Sequence, residues 1–221
     1  MTTTKKASPE KKLALTAIYE KLYAFYGPQH WWPGDTPLEI AVGAILTQNT
    51  NWANVEKAIE NLKVHHVLNA RELYELPLAK LAALLRPSGY YNIKAERVRA
   101  FLDFIVGKYG GSMERMKKED TTILREDFLA INGIGQETAD SILLYALEKP
   151  VFVIDAYTKR VLSRHNIIDI NAHYEQYQDL FHRELDEDVH LFNEFHALLV
   201  RVGKEYCRPQ SRCEGCPLSV H

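Results

Sequence analysis

Almost every apolar residue in this chain recurs at helical rather than alternating spacing, and that period restricts the fold to packed helices. Leu13, Ala17, Ile18, Leu22 and Phe25 form one stripe, opened by Ser8-Pro9 and closed by Gly27-Pro28. The stretch TPLE, Thr36 to Glu39, has the capping-box pattern with proline at the first helical position, and the apolar run IAVGAIL follows it. Asn51 is placed to cap the next helix, whose buried face is Val55, Ile59 and Leu62. Helical patterns continue through LAKLAALLRPSG, NIKAERVRAFLDFIVGKYGG, EDFLAINGIG and ETADSILLYALEK. Three more start at Ala156, at His173 and at Val189, the last running to Tyr206. PVFVID is too short and isolated to imply a sheet and reads as an extended connector. The chain is therefore expected to be all-α, with an internal boundary after Lys149.

With 221 residues, 46% apolar and 25% charged, there is ample material for one or two globular domains. IAVGAIL falls far short of the roughly 20 residues that span a membrane. The opening MTTTKKASPEKK has charge but no apolar run behind it, unlike a secretory signal. All three cysteines lie in the last fifteen residues, which argues against a disulfide framework and for a cytoplasmic protein. No membrane partner is expected, and a monomer is. The net charge of −2 mildly disfavours nucleic acid. Local basic clusters do occur: Lys94, Arg97 and Arg99; Lys159, Arg160 and Arg164; Arg201, Lys204, Arg208 and Arg212. Solvated helix faces are the simpler account of such clusters.

The stretch INGIGQETAD, Ile131 to Asp140, joins two helical patterns by a turn reading apolar-Gly-apolar-Gly. Glycine permits positive φ and close backbone approach. The amides of Gly133, Ile134 and Gly135, with Thr138 at the start of the second helix, then form an anion site suited to a DNA phosphate. Ile131 and Ile134 would anchor the turn in the core. An ordinary helix-helix connection has the same glycine pattern.

Asp155 follows Glu137 by eighteen residues, on the apolar connector that enters a new helix. Here INGIGQETADSILLYALEKPVFVIDAYTKRVLSR resembles the endonuclease III family of DNA glycosylases, with Pro150 in the loop between hairpin and aspartate. The resemblance extends to GAILTQNT, RPSGYYNIKAERV and the cysteine-rich tail, and so covers roughly residues 36–221. It implies two helical domains: a six-helix barrel with the helix-hairpin-helix, residues 36–149, and a second domain built from 1–35 and 150–221 with the cysteine-rich loop. It implies an active-site cleft between them, double-stranded damaged DNA as partner, and a target base flipped out of the stack.

In family members that also cut the backbone, a lysine two residues past the second hairpin glycine forms a Schiff base. Here that position is Glu137, so the resemblance implies a monofunctional glycosylase. Asp155 is the catalytic candidate: a fixed carboxylate stabilises positive charge on the deoxyribose and can orient or deprotonate water. An aspartate before AYTKRVL would also serve as a helix N-cap, and Glu137 as an ordinary first-turn carboxylate.

All three tryptophans lie early: Trp31 and Trp32 beside Pro33, and Trp52 after QNTN. Core burial is one account of them; an aromatic sandwich for an extruded base is another. WWP, LTQNT, RPSGYYNIKA and Glu137 are similar to the 3-methyladenine DNA glycosylase III branch of the superfamily. That likeness makes Trp31, Trp32, Pro33, Trp52 and Glu137 base-pocket candidates. It makes Gln48 the residue that fills the gap left by the flipped nucleotide and Tyr90 the wedge, with Tyr91 adjoining. An N-alkylated purine, cationic and activated for departure, is the implied substrate.

The tail spaces its thiols as Cys207-x5-Cys213-x2-Cys216. The family's [4Fe–4S] loop has one more residue in its first gap, and its fourth cysteine would fall at position 222. A cluster held by Cys207, Cys213 and Cys216 is the implied cofactor, its fourth ligand being either His221 or a residue past position 221. A Cys3His zinc site or a metal-free loop are the alternatives. Rival functions are an endonuclease III-like glycosylase and lyase acting on oxidised pyrimidines, and a non-catalytic helix-hairpin-helix module, which needs no aspartate at this spacing.

Overall fold

The computed structural model describes residues 14–219, which form twelve α-helices and no strand. The helix expected to open at Ser8-Pro9 runs as α1 from Leu15 to Tyr26; its expected opening and Leu13 lie outside the described residues. It buries Leu15, Ile18 and Leu22, while Phe25, assigned to the same stripe, is exposed. Its last turn ends at Gly27 with φ +69°.

The described residues divide into two compact units. One comprises residues up to Gln29, Ile154–Asp186 and Phe195 onward; the other comprises His30–Val153 and Glu187–Glu194. The division near the N-terminus falls before the tryptophan pair rather than at Thr36, because Trp32 packs on Trp52 and Tyr145.

In the second unit α2 (Pro37–Leu46) is the central element, and its composition dictates that position. PLEIAVGAIL is apolar all round, so no face of it suits water, and Ala41, Val42, Ile45 and Leu46 are fully buried. It packs against α3 (Trp52–Val64), α6 (Tyr91–Tyr109) and α9 (Gln136–Ser141). Thr36 Oγ1 caps it by accepting from the Glu39 amide at 3.2 Å. The Glu39 side chain returns a bond one residue earlier than a capping box would, to the Asp35 amide, and is held there by Lys63 at 2.7 Å. Asn51 caps α3 as expected, and Val55, Ile59 and Leu62 are its buried face. Short helices α4 (Ala70–Glu75) and α5 (Leu78–Leu84) pack on α6. Then α7 (Met113–Lys117) and α8 (Thr121–Ala130) lead into the glycine turn. Past the turn α9 widens into a π-helical segment, Ile142–Ala146, whose residues are all buried. The connector Val151–Ile154 is extended and buried.

The first unit adds α10 (Ala156–Arg164), α11 (Tyr174–Glu184) and the C-terminal part of α12 (Val189–Glu205) to α1. Its core is aromatic: Phe195 meets Phe181 at 5.5 Å and Tyr19 at 5.4 Å, both edge-on.

Candidate functional site

The glycine turn is a helix-hairpin-helix formed by α8 and α9. Only one of its glycines is needed for its conformation. Gly133 has φ +84°, and a Cβ there would stand 2.5 Å from Cγ of Arg97, whose side chain lies across the turn. Gly135 has φ −94°, and nothing lies within 4 Å of where its Cβ would be. Its smallness keeps the outer side of the turn open. Ile134 is buried in the core, whereas Ile131 is only partly so.

Gln48 does not stand apart from the hairpin. Its Nε2 donates to the Gly133 carbonyl at 3.1 Å and to Thr138 Oγ1 at 2.9 Å, and its Oε1 accepts from Arg97 Nη1. The GAILTQNT segment and the hairpin, remote in sequence, are thus joined through one amide side chain. A second tie runs through Lys94, which is 1% exposed. Its Nζ donates to the carbonyls of Leu46 at 2.8 Å and Ser88 at 2.6 Å. Burial, with the nearby Arg97 charge, pushes this amine down to about 8. Leu46 precedes Gln48 and Ser88 precedes Tyr90, so one buried ammonium fixes the bases of both turns. Tyr90 itself is 70% exposed, at φ +46°, in the N-cap position of α6. Tyr91, by contrast, packs on the core.

Several of the basic residues are tied to backbone carbonyls, while Arg164, Arg201, Lys204, Arg208 and Arg212 are exposed. Arg99 donates to the carbonyls of Tyr74 and Leu76. Arg160 donates to those of Cys207 and Gly203, and Arg164 to those of Arg208 and Pro209. They are structural ties in this protein, which the sequence alone did not distinguish from a surface.

The tryptophans come together. Trp32 meets Trp31 at 5.4 Å and Trp52 at 5.0 Å, edge-on in both cases, and Tyr145 at 5.0 Å. Gly43 of α2 lies beneath them: a Cβ there would be 3.5 Å from Trp32 Nε1 and 3.6 Å from Trp52. Tyr145 was not found in the sequence, where it is one aromatic in an aliphatic run. Pro33 is exposed and, with Trp52, borders a cavity of about 710 Å³ that Asp35, Glu39, Glu56 and Glu60 line together with Lys57 and Lys63. Trp52 Nε1 donates to Glu56 Oε1 at 2.7 Å. Glu137 is exposed in the first turn of α9.

In the other unit, Asp155 is the N-cap of α10. Its Oδ1 accepts from the Thr158 amide at 2.7 Å, and its Oδ2 lies 3.7 Å from Nε2 of His196, a residue the sequence reading had not singled out. Capping takes up one carboxylate oxygen, so it is compatible with chemistry at the other.

The cysteine loop is the least complete part. Cys207 is buried, Cys216 partly buried and Cys213 exposed, and Arg164 Nη1 donates to Cys207 Sγ at 3.3 Å. Burial pushes the Cys216 thiol up. Among the described residues no group of three or more His, Cys, Asp or Glu is placed to hold a metal ion, and His221 lies outside them. The thiols as arranged do not fit a four-ligand cluster.

Known proteins give this arrangement a context. A family described as HhH-GPD superfamily base excision DNA repair protein matches residues 42–187. A provisionally assigned DNA repair glycosylase of Methanocaldococcus jannaschii is 48% identical over 91% of this chain and 92% of its own length. Endonuclease III of Thermotoga maritima is 29% identical over 84% of this chain and 82% of its own. Among solved structures, the 3-methyladenine DNA glycosylase of H. pylori bound to 1,N6-ethenoadenine superposes with a TM-score of 0.77 at 31% identity, covering 87% of this chain and 98% of that one. A non-covalent endonuclease III–DNA complex has the same fold, with a TM-score of 0.78 at 19% identity. The matched segment takes in the hairpin, Glu137 and Asp155, and the chain belongs to the HhH-GPD superfamily of base excision DNA repair proteins.

Proposed function

We propose that this base-excision DNA glycosylase is monofunctional and hydrolyses the N-glycosidic bond of flipped alkylated purines, such as 3-methyladenine, in damaged double-stranded DNA. The observation that carries the reading is Glu137: a carboxylate stands where a lyase would carry its lysine, and a carboxylate cannot form an imine. The two lysines nearest in sequence to the hairpin-aspartate motif are otherwise engaged. Lys149 Nζ donates to the Glu119 carbonyl at 2.8 Å, and Lys159 lies over the Tyr177 ring. The likeness to the H. pylori glycosylase, whose bound ligand is a modified adenine, supports a purine substrate.

Asp155 serves the sugar. As the glycosidic bond breaks, positive charge builds on the deoxyribose, and the carboxylate stabilises it while Oδ2 orients the attacking water. Trp31, Trp32, Pro33 and Trp52 serve the base, whose cationic ring an aromatic face attracts by roughly 0.5–2 kcal/mol. Glu137 accepts from a purine amino group. The amides of Gly133, Ile134 and Gly135 hold a phosphate, Tyr90 wedges the stack, and Gln48, with Thr138, secures the hairpin and reaches the opened strand. The [4Fe–4S] cluster implied for Cys207, Cys213 and Cys216 has no step in this reaction.

The test is base release from a duplex carrying methylated purines, read by mass spectrometry, with borohydride present in a parallel reaction. Wild type should release 3-methyladenine, leave an intact abasic strand and trap no covalent adduct. Asp155→Asn should lose at least ~100-fold of the rate with DNA binding retained. Efficient trapping would overturn the monofunctional reading, and release of oxidised pyrimidines alone would move the enzyme to the endonuclease III class.

A further inference from the structure

We propose that His196 is a positioning residue for the Asp155 carboxylate; the inference rests on the reading of Asp155 as the catalytic group. His196 projects from α12 and is only 5% exposed. Its Nε2 lies 3.7 Å from Asp155 Oδ2, while Oδ1 is held by the Thr158 amide at 2.7 Å. Each carboxylate oxygen therefore faces a nitrogen from a different helix, one from the first turn of α10 and one from α12. Two such points fix both the direction and the rotation of the carboxylate plane, where a single N-cap bond leaves it free to turn about that bond.

The choice of histidine is informative because it is costly at this place. Its neighbours Phe195, Leu198 and Leu199 are fully buried apolar residues, and a leucine at 196 would pack without the cost of burying an imidazole. At 3.7 Å the contact is longer than a hydrogen bond. In a water-poor interior it is still an effective dipole-to-charge interaction. Burial holds the imidazole below its ordinary pKa, Asp155 acts against that shift, and the Lys204 charge adds to it. A neutral ring suits the role. A cation there would cancel the charge that Asp155 must present to the developing oxocarbenium, whereas a neutral N–H orients the carboxylate and leaves the charge in place.

The test is a double-mutant cycle read by single-turnover base release from a duplex containing 3-methyladenine, with DNA affinity and thermal melting measured on every variant. His196→Leu should slow release about tenfold with DNA affinity unchanged. His196→Gln, whose amide can present an N–H to Oδ2, should recover most of that rate. In the Asp155→Asn background, His196→Leu should cause no further loss. An unchanged rate in His196→Leu, or an equal loss in both backgrounds, overturns the positioning role while leaving Asp155 as the catalyst. If His196→Leu melts too low to assay, His196→Asn and His196→Gln decide: a loss in both that persists in the Asp155→Asn background also overturns it. Full activity of Asp155→Asn alone is a different result, which removes the catalytic reading and this proposal with it.

Discussion

Arg125 grips Asp140 with two parallel hydrogen bonds, Nε to Oδ1 at 2.7 Å and Nη2 to Oδ2 at 3.2 Å, and so clasps the two helices of the hairpin to each other. Asp140 is fully buried and Arg125 mostly so, which makes the pair costly to break from one side. Arg125→Met leaves a buried carboxylate without its guanidinium and should cost about 3 kcal/mol, a drop of roughly 6–12 °C in melting temperature. Hairpin geometry depends on the clasp, so DNA affinity should fall as well. Calorimetry and a binding titration check both, and an unchanged melting temperature would show that the clasp is dispensable.

Lys94 makes a similar argument within the same unit. Its ammonium is the shared donor for two buried carbonyls at the bases of the Gln48 and Tyr90 turns. Lys94→Met keeps the volume and removes both bonds, and should destabilise by about 2–4 kcal/mol. Amide hydrogen exchange should then quicken at residues 46–50 and 88–91 before it does in α2. Uniform quickening across the unit would mean that Lys94 supports the core rather than the turns.

Those two residues also show what could be read from the chain and what could not. The helical period, the caps at Thr36 and Asn51 and the hairpin glycines are local signals, and each recurs in the structure as a local feature. Spacing brought Asp155 and Glu137 to notice because a motif is itself a local string. Lys94 and Arg97 looked like surface charge, since a sequence does not show which face of α6 meets α2 and the hairpin. His196 carries no motif of its own, and only the fold brings it to Asp155. Tyr145 lies in the π-helical segment, and only the fold brings it to Trp32.

Tyr90 sits at φ +46°, a conformation that costs a residue with a side chain about 1–2 kcal/mol. Strain at an exposed aromatic fits a side chain kept for contact with DNA. Tyr90→Gly should raise stability by about 1 kcal/mol and lower the rate of base release, whereas Tyr91→Gly should lose stability. A Tyr90→Gly variant with full activity would remove the wedge role.

The start of the cysteine loop is anchored by Arg160 through the Cys207 carbonyl and by Arg164 through those of Arg208 and Pro209, independently of any metal. Purified protein should accordingly contain well below one cluster of iron per chain by elemental analysis. The triple change Cys207→Ser, Cys213→Ser and Cys216→Ser should melt within about 1 kcal/mol of wild type, the ordinary range for replacements that create neither a cavity nor an unpaired charge. Four irons per chain with broad visible absorbance would restore the cluster, and one zinc per chain would indicate a Cys3His site.

The His196 imidazole gives stability a pH dependence whose sign is fixed by burial. Its folded pKa lies below the ordinary value near 6.5, with burial the main cause, so between the two values the unfolded chain binds more protons than the folded one. Stability then rises with pH across that window and is lost as pH falls below about 6.5, at up to ~1.4 kcal/mol per pH unit for this one group. His165 is also held low by burial, with Lys21 beside it, and contributes in the same direction. Comparing wild type with His196→Gln cancels the His165 contribution, because both proteins retain it. Denaturant unfolding from pH 8 to pH 5 should give curves that run parallel above pH 7, with wild type falling relative to His196→Gln below pH 6.5, as wild type alone loses the His196 share. Parallel curves over the whole range would show that the imidazole takes up its proton as readily in the folded protein as in the unfolded chain, and that it is not neutral beside Asp155.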